Sequence, residues 1–129
     1  MYTNLNVFKA AHALATHAGQ RQSVVAQNVA NADTPGYKAQ DIAPFSEVFG
    51  DAGQDGSMRA TRSGHADMTV GSQIARFMRS ESTETDPNGN SVSVELEMLK
   101  AVEVSRQHEK AVTIYKSSLG ILRSSLGRF

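Results

Sequence analysis

A chain of 129 residues with 40% hydrophobic content, much of it Ala, no Trp, three Tyr and five Phe suits one small domain or one extended subunit, with little material for a large core. Thirteen basic and thirteen acidic residues leave no net charge, which excludes a general nucleic-acid binder and lowers the repulsion between copies. The lack of Cys excludes disulfides, thiolate catalysis and Cys-zinc centres.

The first predicted element covers residues 4–33. Phe8, Ala11, Ala15, Ala18, Gln22, Val25, Val29 and Ala32 recur in steps of three and four, a heptad seam on one face of a helix, and Leu5 and Leu14 widen it. A helix of this length is a rod of roughly 43 Å. Its opening, "MYTNLNVFKAAHALATHAGQ", lacks a basic start followed by an apolar block, so a cleaved secretory signal is not expected. No apolar run in the chain approaches the roughly 20 residues that span a bilayer.

The helix pattern runs into "NVANADTPGYK". Thr34 precedes Pro35 and is pushed out of the helical region. Pro35-Gly36 suits the centre of a type II turn, where Gly supplies positive φ. Asn31 and Asp33 suit a helix exit, either in the left-handed region or through local side-chain bonds, and Tyr37 offers an aromatic ring with a polar tip to a neighbour. Residues 34–92 form the turn motif and an irregular middle, partly β or disordered. Only "APFSEVF" and "SQIARFM" are apolar there.

The last element, residues 93–129, repeats the seam through Val94, Met98, Ala101, Ser105, His108, Val112, Tyr115, Leu119, Leu122, Leu126 and Phe129. Leu99, Val102, Ile114 and Ile121 add a second stripe. Ser93 is placed to cap it, and Glu95 and Glu97 at its start with Lys116, Arg123 and Arg128 at its end suit the helix dipole. The expected fold is all-α: two long terminal amphipathic helices in a coiled-coil-like hairpin, forming one structural unit with the middle segment. One Ala-rich helix cannot cover every apolar stripe of the other, so coiled-coil contacts with further chains are expected, and helix ends that order on assembly.

Chemistry is scarce. His12 and His17 lie about 140° apart around a helix and cannot share a metal, His108 falls on the seam as a packing residue, and His65 has no evident partner. Asp67 and Asp86 sit in polar sequence and are expected to be solvated. Neither a nucleophile elbow nor a phosphate loop is present, so no catalytic, metal or cofactor residues and no small-molecule substrate are expected. A helical-hairpin adaptor or chaperone-like module of an export system is the competing non-enzymatic reading.

"NVANADTPGYK" resembles the N-terminal signature of the bacterial flagellar axial proteins, the rod and hook family, through Asn28, Ala30, Asn31, Thr34, Pro35, Gly36 and Tyr37. The terminal helices and variable middle have the family's layout. The short length, with "GYKAQDIAPF", "TRSGHADM" and "NGNSVSVELEM", resembles its small proximal-rod members. Two such members exist, and the last helix alone suits either. Gln40, Asn88, Ser93 and His108 depart from the residues common at their places. The resemblance implies a subunit of the periplasmic drive shaft, exported unprocessed, that transmits torque. It also implies as partners other rod subunits, copies of itself in a helical assembly, the rod-to-ring adaptor, the inner-membrane ring and the export gate. The family motif would then serve assembly, with Phe8, Val25, Val29, Met98, Val112, Tyr115, Leu119, Leu122 and Leu126 as the assembly seam.

Overall fold

The computed structural model describes residues 2–51, 78–80 and 85–127. His65, Asp67 and most of "SQIARFM" lie outside the described residues. Helix α1 spans Tyr2–Ala30, strand β1 Gln40–Ile42, helix α2 Phe45–Asp51, strand β2 Met78–Ser80 and helix α3 Val94–Ser125. The two terminal helices dominate, as expected, while the middle contributes a short helix and an antiparallel pair, Gln40 opposite Ser80 and Ile42 opposite Met78. The exposed Arg79–Glu47 ion pair (2.7 Å) links β2 to α2, a surface contact of small weight.

α1 has no acidic residue in its first turn and no basic one in its last, so its dipole gains nothing and the helix depends on packing. α3 carries Glu95 and Glu97 at its start and Arg123 in its last turn. Ser93 occupies the N-cap position with extended backbone, but its hydroxyl makes no capping bond and instead donates to Glu95 Oε2 at 3.2 Å.

α1 and α3 are antiparallel. Phe8 meets Tyr115 edge to face at 5.1 Å, Arg21 reaches Glu103, and Asn28 reaches Glu97. The buried line differs from the one apolar spacing predicts. In α3 it runs through Glu97, Val104 and Ala111, one position before the expected Met98, Ser105 and Val112. Met98, Tyr115 and Leu126 are exposed, Val112, Leu119 and Leu122 half-buried, and His108 is exposed on a groove rim rather than packed. In α1, Ala11, Ala18 and Val25 are buried as expected and Phe8 is half-buried, but Gln22 and Val29 are exposed, and Arg21, Val24 and Asn28 take the interior.

The physical reason is a third layer. Residues 39–45 return along α1, so α1 is covered on two sides rather than one. Ile42 packs on Val24. His17 Nε2 donates to the Ala43 carbonyl (2.9 Å), its ring meets Phe45 edge to face, and Phe45 stacks on Phe49 at 5.1 Å. That bond puts the imidazole proton on Nε2 and leaves Nδ1 buried without a hydrogen-bond partner. The arm fills one flank of the hairpin. The opposite flank stays open as a groove.

Candidate functional site

The motif at the end of α1 builds a joint of buried polar groups. Thr34–Tyr37 is the expected type II turn: Tyr37 N–H donates to the Thr34 carbonyl (3.2 Å) and Gly36 has φ of 73°. No described residue other than glycine has positive φ, so Asn31 and Asp33 do not enter the left-handed region. Asn31 instead donates from Nδ2 to the Gln27 carbonyl at 2.8 Å and accepts from the Thr34 hydroxyl at 3.2 Å. Pro35 is exposed and starts the turn. Ala30, also exposed, closes α1.

The turn is bound to the segment that leads into α3. Gly36 N–H donates to the Asn88 carbonyl and Ser91 N–H to the Tyr37 carbonyl, both at 3.1 Å, and Ala39 N–H donates to Ser91 Oγ at 2.9 Å. Gly89, with φ of 84°, stacks backbone on backbone with Gly36, and a Cβ there would lie 3.4 Å from Gly36 Cα. Asn90 closes the seam. Its fully buried amide shares two N–H bonds among the carbonyls of Asn31 (2.9 Å), Ala32 (2.7 Å) and Thr34 (2.8 Å), which the end of α1 leaves unsatisfied. Asn90→Ala is expected to cost about 2 kcal/mol, because those carbonyls lose their donor in a place water cannot easily reach. A fall in the urea midpoint that exposed Asp33→Ala does not share is the check.

Asn28, wholly buried, is the centre of the joint. Its Nδ2 donates to the Gln40 carbonyl (2.6 Å) and to Glu97 Oε2 (3.0 Å), and its Oδ1 accepts from Gln40 N–H (3.1 Å) and the Tyr37 hydroxyl (3.2 Å). One side chain therefore ties α1, the turn, β1 and α3 together. Glu97 is 1% exposed and also accepts from Lys100 Nζ at 2.8 Å. One turn along, Arg21 grips Asp41 with two parallel bonds of 2.9 and 2.8 Å, and Lys100 Nζ lies 4.0 Å from the same carboxylate.

Burial pushes the Asp41 carboxyl up, but the Arg21 guanidinium, the Ile42 N–H and Lys100 outweigh it and hold the group below its ordinary 3.8. The Asp41 hydrogen bond, against opposing burial, raises Arg21 above its already high ordinary value. A carboxyl with a lowered folded-state pKa adds stability above its unfolded value and loses it as pH falls through the folded one. The arm is therefore expected to loosen below about pH 4, and Asp41→Asn to flatten that acid dependence. Hydrogen exchange at residues 39–43, followed from neutral to acid pH, measures it.

Asn28, Asn31, Thr34, Pro35, Gly36 and Tyr37 thus meet in one place, while Val25 lies in the core a turn earlier. Sequence reasoning missed Arg21, Asp41, Asn90 and the burial of Glu97, which looked like a dipole-favoured helix start. The available signal was the pair of turn sequences, "TPGY" and "PNGN", each with a glycine that needs positive φ. Among the described residues no group of His or acidic side chains is placed to hold a metal, and no helix is long and apolar enough to cross a membrane.

A long helical hairpin, locked at one end by this motif and open along one flank, is built as a structural subunit. Residues 10–38 match the family described as flagella basal body rod protein. The chain is 34% identical over 116 residues to the flagellar basal body rod protein FlgB of Agrobacterium fabrum, covering 88% of this chain and 87% of that one. It is 32% identical over 107 residues to FlgB of Salmonella typhimurium, covering 78% of each, and 66% identical over 29 residues to FlgB of Escherichia coli, 22% of this chain and 21% of that one. The chain belongs to the FlgB family of flagellar basal body rod proteins, structural subunits of the proximal rod.

Proposed function

We propose that the chain works by lateral helix packing: α1 and α3 build the inner helical layer of the rod, and torque passes through side-chain contacts between subunits. The observation that carries this is the apolar surface the hairpin leaves uncovered. Met98, Leu99, Ile121 and Leu126 are 62%, 68%, 62% and 74% exposed along α3, which is more large apolar surface than a solitary 129-residue chain needs to leave in water. The family motif acts from inside, by holding the angle at which the arm leaves α1.

Other rod subunits, further copies of this chain, the rod-to-ring adaptor, the inner-membrane ring and the export gate are the proposed partners, with no catalytic residue and no small-molecule substrate. Export is proposed to proceed without a cleaved signal, through the flagellar apparatus, with helix ends ordering on assembly. Detergent-extracted basal bodies test the reading. The chain should appear in the ring-and-rod fraction and disappear from it when the rod is lost. A chain found only as a soluble species overturns the reading and favours a hairpin adaptor.

A further inference from the structure

The open flank of the hairpin holds a groove of about 370 Å³ lined by Ala11, Ala15, Ala111, Val112, Tyr115 and Leu119. Its floor is mostly Ala, so the two helices present a hole with few knobs of their own. Knobs stand elsewhere on the same chain. Met98, Leu99 and Val102 are each more than half exposed and lie three and four residues apart, so they form one bulky patch on the outer side of α3 near its start. Leu99 and Tyr115 are sixteen positions apart on one helix, roughly 24 Å, so patch and groove of one molecule cannot meet. The charges beside them are opposite: Glu95 stands one turn before Leu99, and Lys116 and His12 border the groove.

Resting on the rod reading above, we infer that the Met98–Leu99–Val102 patch of one copy seats in the Ala11–Ala15–Ala111–Val112–Tyr115–Leu119 groove of a second copy. The two α3 helices run parallel and are staggered by roughly 24 Å. With Leu99 over Tyr115, Glu95 comes level with Ala111 and His12, toward which the Lys116 side chain leans, since helical side chains tilt toward the N-terminus. The contact is heterologous, different on its two sides. With an axial stagger it cannot close into a ring, and it propagates as a helix. The balanced charge of the chain places no long-range repulsion against it.

The test places a photoreactive side chain at position 112, in cells that make this variant as their only copy, followed by irradiation of purified basal bodies. An adduct of two copies, with peptide mapping of the partner end to residues 95–103, is the expected result. Self-adducts mapping elsewhere, or adducts with a different chain, overturn the proposal. The presence of the chain in the basal-body fraction is read separately, so a wrong register is distinguishable from a wrong rod assignment. Sedimentation of the unmodified chain gives a second measurement free of any folding defect. Mass that grows with concentration past the dimer supports the staggered contact. A plateau at monomer or dimer overturns it.

Discussion

Asn28→Ala is expected to unlock the whole joint. The substitution removes a donor and an acceptor together and leaves the Gln40 carbonyl and N–H, the Tyr37 hydroxyl and Glu97 Oε2 without their partner inside the fold. Glu97, at 1% exposure, suffers most, since Lys100 alone then faces it. Breaking a buried polar network from one side costs about 3 kcal/mol or more, a large share of the marginal stability of a small domain. The arm should release first, with hydrogen exchange rising at residues 37–43, and the hairpin should unfold at lower denaturant. Asn28→Ala stability within about 0.5 kcal/mol of the native chain would contradict the assignment of Asn28 as the centre of the joint.

Leu119→Asp is expected to act at the opposite level, on assembly rather than on folding. Leu119 is half-buried and lines the open groove, so a carboxylate there can turn to water in the free subunit and leave the helical content almost unchanged. In the rod that water is displaced, and an unpaired carboxylate facing an apolar neighbour costs about 3 kcal/mol, on the order of a hundredfold in affinity at each contact. The chain should be exported, stay out of the basal-body fraction and leave cells non-motile. Normal swimming with the variant present in the rod would remove the groove from the assembly surface. Comparing the two substitutions separates a residue that holds the subunit from one that joins subunits.

The sequence made the rods and the turn legible, because they rest on local rules. Periodicity placed helices at 4–33 and 93–129 against Tyr2–Ala30 and Val94–Ser125, and Pro35-Gly36 announced the type II turn. What stayed hidden was which face turns inward. Apolar spacing selected Met98 and Val29 because a pattern reading sends Glu97 and Asn28 to the surface. Their burial depends on partners far along the chain: Asn28 is 69 positions from Glu97, and Asn90 is 56 to 59 from the carbonyls it binds. Neither spacing nor propensity encodes such meetings. The arm was equally invisible, since a three-residue strand and the Arg21–Asp41 pair carry no periodic signal.

The joint also insulates the two helices from the length of sequence between them. Asn28, Gly36, Tyr37 and Ala39 hold Asn88, Ser91 and Glu97 at hydrogen-bond distance, so the chain leaves and re-enters the structure at neighbouring points. The entropy of closing such a loop grows only with the logarithm of its length, and doubling it costs about 0.6 kcal/mol. Related chains can therefore lengthen, shorten or replace this excursion almost freely, presenting a different exterior to the surroundings, while the shaft-forming pair keeps the same geometry. Variation is cheap on the outside because the hinge pin sits where the loop closes.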